Sequence, residues 1–279
     1  MTMAKRAVCV GINDYPIPGN DLKGCVNDAE AWRALLVEEF DFPDADVTVI
    51  TDSDATRQAM IDALKGLIEG SSSGDVLVFT NSSHGSYIPD TSGDEETYDE
   101  VICPYDTREE VLSDDDLRGV LDTLPAGVSM TVISDSCYSG SNTRAPLNEL
   151  LPPKYRTADD LRFRFLNPAL IPELARRGPI LTDPTGAAPR TRIAFPESGM
   201  NHLLLSGCRD DEVSWDAKID GIYHGAMSYH ALKAIRNAGS TITYSELAER
   251  LQTMLDDAGY DQHPQLEGLD ERKSRQVFT

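Results

Sequence analysis

Five short, almost uninterrupted apolar runs constrain the fold of this chain most strongly. They read AVCVGI, VTVI, VLVFT, VSMTVIS and LLLS, and they begin at Ala7, Val47, Val76, Val128 and Leu203. Runs of this length without polar alternation are typical of strands that are covered on both faces, as in a parallel sheet. Because the segments between them have helical spacing, the sequence predicts an α/β fold with a mainly parallel sheet flanked by helices on both faces.

The connecting segments also indicate where the helices begin. In AEAWRALLVEEF apolar residues recur at helical spacing, and Asn27 or Asp28 is predicted to cap this helix at its N-terminus. Asp114 is predicted to lead another helix, and the capping box Thr243–Glu246 a third. The remaining predicted helices span about 56–68 and 225–236, and His224 and His230 are assigned to the latter without a role.

The charge of the chain limits its partners. With 47 acidic and 25 basic residues, the formal net charge is -22, which argues against binding to nucleic acid or an anionic membrane. A basic substrate or a cation would suit such a surface, although the same charge also serves solubility alone. The N-terminus lacks a signal-peptide pattern, and no apolar run reaches 18 residues, so we expect a cytoplasmic protein.

The cysteines argue against two kinds of site. The chain has five, they are scattered and no C-x-x-C pair occurs among them: Cys9, Cys25, Cys103, Cys137 and Cys208. Neither a disulfide framework nor a structural zinc site follows from this pattern. A reduced thiol is therefore available for chemistry, with core packing as the default reading of Cys208.

Two of the predicted strands end in reactive residues. VLVFT runs into Asn81–Gly85, which contains His84, and TVIS runs into Asp135, Ser136 and Cys137. If these strands are parallel neighbours, His84 and Cys137 emerge at the same edge of the sheet. An imidazole can activate a thiol there, and nearby backbone N–H groups could stabilise an oxyanion. From the residues alone, an inert buried thiol and a loop histidine remain alternatives.

Six sequence blocks, in this order along nearly the whole chain, carry a family resemblance: LKGCVNDAEAW, SSHGSY, GDEETYDEVICPYD, DSCYSG, LLLSGCRDDEVSWD and HPQLEG. Together they resemble the metacaspases, or the bacterial orthocaspases, and the interval of 53 residues from His84 to Cys137 is close to that of caspases. The resemblance implies one caspase-like domain over 1–279, with a large catalytic region (1–140), an insertion (141–200) and a small region (201–279).

The resemblance also implies an activity and a set of site residues. His84 would be the general acid and base, and Cys137 the nucleophile that forms an acyl-enzyme. Substrates would be peptides or proteins with Arg or Lys at P1, held by Asp28 and Asp135, with pocket walls at Cys25 and Ser82. No organic cofactor is implied, and we expect a monomer. A helix cap at Asp28 is compatible with this role.

An acidic stretch is the candidate metal site. Between positions 90 and 116 there are twelve Asp or Glu and a single Arg. The resemblance implies a calcium site at Asp99, Asp114 and Asp115 that promotes activity, and carboxylate oxygens suit this ion. A solvated acidic loop is the alternative, because Arg144 stands where the family pattern leads us to expect a fourth aspartate.

The insertion differs from the rest in composition. Residues 141–200 hold nine of the sixteen prolines, and nine Lys or Arg against six acids, which predicts a long irregular segment. Two hypotheses follow: one of its basic residues is cleaved by the protein itself, or the segment occludes the acidic pocket. A surface loop without a regulatory role is the alternative.

Two rival functions remain. Ser83 and Tyr138 depart from the SGHG and DSCHSG of the family, as they would in a catalytically impaired scaffold that acts as a binding module. A cysteine phosphatase is the weaker rival, because its phosphate loop needs five residues between Cys and Arg, whereas six separate Cys137 from Arg144. His263 is predicted to be structural, near the rim of the pocket.

Overall fold

The computed structural model describes residues 3–89, 98–138, 161–171, 199–209 and 212–279. The strands of this part are β1 Lys5–Gly11, β2 Val47–Thr51, β3 Val76–Ser82, β4 Gly85–Pro89, β5 Tyr98–Ile102, β6 Leu112–Ser113, β7 Ser129–Asp135, β8 Leu161–Phe163, β9 Leu203–Ser206, β10 Trp215–Ile219, β11 Ile222–Gly225 and β12 Gln265–Glu267. Its helices are α1 Cys25–Glu39, α2 Arg57–Ile68, α3 Asp114–Leu121, α4 Ala226–Ala238, α5 Tyr244–Ala258 and α6 Asp270–Lys273.

Six strands form the central sheet, in the order β12-β9-β7-β3-β1-β2. The pairs β9-β7, β7-β3, β3-β1 and β1-β2 are parallel, and β12 is antiparallel to β9 at one edge. The five apolar runs are the five parallel strands, with ends that differ by at most two residues from the sequence prediction. The predicted mainly parallel sheet is therefore confirmed.

The helices cover both faces of this sheet, because each face carries its own apolar cluster. The buried apolar side chains of α1, except Cys25, and those of α4 and α5 belong to one cluster, and those of α2 and α3 belong to the other. Within the described ranges, no helix is long and apolar enough to cross a membrane.

Two of the predicted helix starts are confirmed and one is wrong. Capping boxes begin α3 at Ser113 and α5 at Thr243. Helix α1 begins after Gly24, and Asp28 lies within its first turn without capping it. The prediction failed because the helix already begins at Cys25, and the carboxylate of Asp28 binds Arg164 and Gly225.

Two small three-stranded sheets stand beyond the carboxyl edge of the central sheet. One has the order β4-β5-β6, and β4 begins three residues after the end of β3. The other has the order β11-β10-β8, and its strand β8 comes from the insertion. The expectation of an irregular insertion is thus wrong for 161–163, because these residues gain an antiparallel partner in β10.

The rest of the insertion lies outside the described residues, apart from 164–171 and 199–200. The basic positions Arg144, Lys154, Arg156, Arg176, Arg177, Arg190 and Arg192 therefore receive no structural account. Arg162 and Arg164 are described, and a short 3-10 turn follows them at Pro168–Leu170.

Candidate active site

His84 and Cys137 follow neighbouring strands, as the sequence predicted. Ser82 at the end of β3 is paired with Asp135 at the end of β7, and the two reactive residues come two positions later. The backbone of Gly85 packs so closely on the carbonyl of Cys137 that a Cβ at this position would overlap it. A glycine at position 85 is therefore required for the two loops to meet.

The imidazole of His84 is held in one tautomer. Its Nε2 lies 2.7 Å from the carbonyl oxygen of Asn20, and since a carbonyl only accepts, Nε2 carries the proton. The ring of Tyr15 packs against it at 4.8 Å between centroids, and the Tyr15 hydroxyl accepts a hydrogen bond from the His84 backbone N–H at 3.0 Å. Two residues of the β1–α1 loop thus fix the orientation of the ring.

This environment keeps the imidazole neutral, with the lone pair of the ring on Nδ1. Burial lowers the pKa of His84 to about 4. The backbones of Asn20 and Arg164 act in the opposite direction and offset part of this shift. Nδ1 makes no hydrogen bond of ordinary geometry with the described residues. A neutral ring with an available Nδ1 can accept a proton from a thiol.

The thiol of Cys137 is buried among main-chain and sulfur contacts. It donates to the carbonyl oxygen of Glu212 at 3.0 Å. The thiol of Cys208 is hydrogen-bonded to that of Cys137, and this contact is the largest cause of the raised pKa of Cys208. Cys208 is packed in the core as expected, but it also contacts the candidate nucleophile. His263 binds the carboxylate of Glu212 through Nδ1 at 2.6 Å, which supports its predicted structural role.

An arginine of the insertion fills the acidic pocket, which we define as Asp28, Asp135 and Asp216. Nη2 of Arg164 lies 2.7 Å from Asp28 and 3.1 Å from Asp216, and Nη1 lies 3.3 Å from Asp135. All four side chains are 0% exposed. A single guanidinium therefore meets three carboxylates in a site from which water is excluded.

Each carboxylate of the acidic pocket is positioned by bonds to other parts of the chain. Asp28 accepts from Gly225 N–H and from His224 Nδ1, both near 3.0 Å. Asp135 accepts from the Ser228 N–H and the Ser214 hydroxyl, and Asp216 accepts from the N–H groups of Lys23 and Gly24. Burial raises the pKa of Asp28, although Arg164 and His224 act in the opposite direction. The pocket is therefore preformed for a cation.

The main chain of Arg164 is bound as tightly as its side chain. Its N–H donates to the carbonyl of Ser214 at 2.9 Å, which extends the pairing of β8 with β10. Its carbonyl oxygen accepts from two N–H groups, that of Gly85 at 2.9 Å and that of Cys137 at 3.1 Å. Two backbone donors that converge on one carbonyl form the geometry of an oxyanion hole.

The other predicted pocket residues lie beside this arrangement. Cys25 is fully buried in the first turn of α1, and Arg164 is among the charges that influence its pKa, which burial raises. Ser82 lies next to Asp135 through the register of β3 and β7.

Sequence reasoning missed several residues of the site. Asp216 stands in the SWD of a quoted block, but only the fold of the β10–β11 hairpin over α1 brings it to Asp28. His224 was assigned to a helix, whereas it lies in β11 and binds Asp28. Asn20 acts through its backbone, for which the sequence carries no signal.

The two residues that depart from the family pattern make polar contacts with residues at or near the ends of β3 and β7. Ser83 accepts from the Asn81 amide at 3.0 Å and donates to the His84 carbonyl at 3.1 Å. The Tyr138 hydroxyl lies 3.1 Å from the Ser134 hydroxyl. Both side chains thus have polar partners in the described part of the chain.

The candidate calcium ligands lie on β5 and in the first turn of α3, which directly follows β6, the partner strand of β5. Asp114 and Asp115 lie in the first turn of α3, where both pair with Arg118, and Asp99 lies on β5. Across the described ranges, no three His, Cys, Asp or Glu side chains are grouped as metal ligands would be. The calcium site at these three residues therefore stays a prediction, and no catalytic step is derived through a calcium ion.

Comparison with known proteins places this site in a family. A family model described as "Metacaspase, peptidase C14 domain" matches residues 5–146. Metacaspase-1 of Scheffersomyces stipitis is 31% identical over 94% of this chain, and metacaspase-1 of Arabidopsis thaliana is 32% identical over 92%. The chain spans 70% and 66% of the length of these two relatives.

Solved structures agree on the fold. A crystal structure of a Geobacter sulfurreducens protein matches with a TM-score of 0.71 at 25% identity, covering 99% of this chain and 98% of that one. Caspase-1 of Spodoptera frugiperda matches with a TM-score of 0.57 at 12% identity, covering 95% and 86%. The fold is therefore caspase-like, as predicted, and the chain belongs to the metacaspase family of cysteine peptidases.

Proposed function

We propose that this protein is an endopeptidase that cleaves after Arg, and less readily after Lys, through Cys137 and His84. One observation carries the proposal: Arg164 lies in the cleft as a substrate residue would. Its guanidinium meets the acidic pocket while its carbonyl meets the N–H groups of Gly85 and Cys137. The forked contacts match a planar guanidinium better than an ammonium, which is the reason to expect Arg over Lys.

The geometry supports a two-step reaction. The sulfur of Cys137 attacks the P1 carbonyl carbon, the thiol proton passes to His84 Nδ1, and the two backbone N–H groups stabilise the oxyanion. His84 then protonates the amine of the departing residue as the C–N bond breaks, which leaves a thioester on Cys137. One water molecule hydrolyses the thioester, and the products are a free carboxylate and the restored thiol.

The proposal includes self-processing, and among the basic residues of the insertion Arg164 is the one we select. The bond from Arg164 to Phe165 would be cleaved, since its carbonyl occupies the oxyanion hole. Incubation of the full chain should yield a fragment that begins with Phe165, identified by mass spectrometry, whereas Cys137→Ala stays intact. An active wild type that remains intact at this bond would contradict self-processing at Arg164.

Labelling tests the activity itself. A P1-Arg chloromethyl ketone should alkylate Cys137, because the acidic pocket places its reactive carbon beside the thiol. If the ketone does not label Cys137 in protein from whose acidic pocket Arg164 has been displaced, the binding-module rival is favoured instead. A P1-Asp analogue is the matched control, and preference for it would overturn the pocket assignment.

Calcium stimulation is also part of the proposal, and its support is the resemblance at Asp99, Asp114 and Asp115. Peptide hydrolysis should rise across a calcium series and should not rise with magnesium at the same concentrations, since magnesium demands tighter octahedral geometry. No change with calcium would remove this part and leave the peptidase proposal intact.

A further inference from the structure

The described part of the insertion crosses the cleft as one extended strand on both sides of Cys137. We name residues 161–166 the cleft segment. Before Arg164 it pairs antiparallel with β10, where Phe163 lies opposite Trp215 and Leu161 opposite Ala217. After Arg164 it changes partner, and Phe165 forms a parallel bridge with Gly85 at the start of β4. The chain thus contacts the protein on the side that follows the bond as well as on the side that precedes it.

The contacts after Arg164 involve both backbone and side chains. The N–H of Leu166 donates to the Gly85 carbonyl at 2.9 Å, and the Leu166 carbonyl accepts from the buried Ser86 hydroxyl at 2.8 Å. The ring of Phe165 stacks on the ring of Tyr87, with 6.1 Å between centroids and 22° between planes. Backbone bonds give binding to any sequence, and the side-chain contacts give a preference.

The side chain of Leu166 is fully buried. It is 0% exposed and belongs to the same apolar cluster as Ile88 of β4 and Ile102 of β5. Tyr87 is itself only 5% exposed, beneath the Phe165 ring. An aromatic residue followed by an aliphatic one is therefore complementary to this part of the cleft, whereas Gly or Ser would leave apolar surface uncovered.

We propose that this peptidase recognises the two residues that follow the cleaved bond, through a primed-side surface formed by Gly85, Ser86 and Tyr87. Its substrates would carry an aromatic residue at P1′ and an aliphatic residue at P2′, in addition to the basic residue at P1. This inference rests on the proposed function, because a primed side exists only if the Arg164–Phe165 position is the position of cleavage.

Two internally quenched peptides test the preference on the wild-type full chain. Both contain Leu-Ala-Phe-Arg before the bond, and they continue with Phe-Leu or with Gly-Ser. The cleft segment competes equally with both, so the ratio of their kcat/KM values does not depend on the fraction of open clefts. We expect a ratio of about tenfold or more in favour of Phe-Leu; a ratio within about threefold of one overturns the inference.

A third substrate separates this result from the proposed function. A Leu-Ala-Phe-Arg coumarin amide has no residue after the cleaved bond, so its hydrolysis reports P1 recognition and the dyad alone. Hydrolysis of the coumarin amide with equal rates for the two peptides overturns only the primed-side inference. Failure of all three substrates overturns the proposed function and the inference together.

Substitution of Tyr87 locates the preference. Tyr87→Ala should lower the Phe-Leu to Gly-Ser ratio at least about threefold, and Tyr87→Phe, which keeps the ring, should retain it. Tyr105→Ala removes a half-buried tyrosine that follows β5 and should leave the ratio unchanged. An unchanged ratio in a folded Tyr87→Ala variant contradicts the assignment to this surface, and the peptide comparison on wild type stands even if that variant fails to fold.

Discussion

The chain has two groups of aspartates, which differ in burial and in how far apart their members lie in the sequence. In the acidic pocket, Asp28, Asp135 and Asp216 come from three distant parts of the chain, and all are 0% exposed around one guanidinium. In the acidic stretch, Asp114 and Asp115 are sequence neighbours whose side chains are 37% and 33% exposed, beside Arg118. Convergence and exclusion of water distinguish a binding site from a charged surface; the number of carboxylates does not.

Removal of the guanidinium should have the largest effect on the acidic pocket. Arg164→Ala leaves three buried carboxylates without their cation, so the free energy of unfolding should fall by about 3–5 kcal/mol. Urea unfolding measures this change. Arg162→Ala, which removes a neighbouring arginine whose Nη1 bonds to the backbone of Asp21, is the control and should cost about 1 kcal/mol or less.

Two further observations would test the same explanation. The deficit of Arg164→Ala should shrink at lower pH, because protonation relieves the repulsion of carboxylates whose pKa is raised by burial, as it is for Asp28. Millimolar arginine amide should raise the Tm of this variant more than that of wild type. Equal unfolding of the variant and wild type would show that the pocket does not depend on a cation.

A matched pair of neutralised carboxylates tests whether burial decides how much each aspartate contributes to activity. Asp135→Asn should lower kcat/KM for a P1-Arg peptide by about 100-fold or more, since it removes one buried charge from the contact with the guanidinium. Asp115→Asn, tested without calcium, should stay within about twofold of wild type because its partner Arg118 is on the surface of α3. Similar losses in both variants would mean that burial is not the deciding factor.

The pH dependence of the two reactions should differ between an occupied and an open cleft, because the pKa of His84 differs. In the occupied cleft burial lowers the pKa of His84 to about 4, so self-cleavage should hold its rate from pH 7.5 to about 5 and fall near pH 4. In an open cleft the ring is hydrated and its pKa moves back toward its usual value of about 6.5, so peptide hydrolysis should fall at a higher pH. Coincident acid limits for the two reactions would contradict this account.

The same lowered pKa links protonation to folding. Above pH 6.5 His84 is neutral in both states and adds no pH dependence. As the pH falls from 6.5 towards 4, the unfolded chain binds this proton and the folded chain does not, so stability declines by up to about 1.4 kcal/mol per pH unit. His84→Gln, which does not titrate, should show a correspondingly flatter stability curve.

Calcium is expected to produce the smallest of these effects and bears on the acidic stretch alone. If the proposal holds, Asp115→Asn should raise the calcium concentration for half-maximal stimulation several-fold, with Asp44→Asn as a surface control. Direct titration calorimetry would show the binding. A calcium response that is identical in both variants would remove Asp115 from the proposed ligands.

The sequence was sufficient for the local parts of this structure and insufficient for the long-range ones. The apolar runs predicted the parallel strands, and matched strand ends brought His84 and Cys137 to one edge, because both patterns are encoded in consecutive residues. The cap of α1 was wrong for the opposite reason, since the carboxylate of Asp28 is committed to Gly225, nearly 200 positions away.

The insertion illustrates the same limit. Its prolines and charges favoured an irregular segment, although the apolar and basic residues of 161–165 (LRFRF) alternate as they do in a strand. The strand forms because β10 and β4 each offer an unpaired edge at the cleft, and Arg164 finds three carboxylates contributed by other elements. Composition indicates nine candidate basic residues, and the three-dimensional arrangement separates Arg164 from Arg162, the other one that the structure describes.

The division of the cleft segment between two sheets has a kinetic consequence. After scission, the new carboxyl end would still be paired with β10, and the new amine of Phe165 would remain beside Gly85. An amine held next to a thioester is well placed to attack it and re-form the peptide bond, in competition with water. Release of one of the two ends, rather than the breaking of the bond, would then make self-processing irreversible and set its rate.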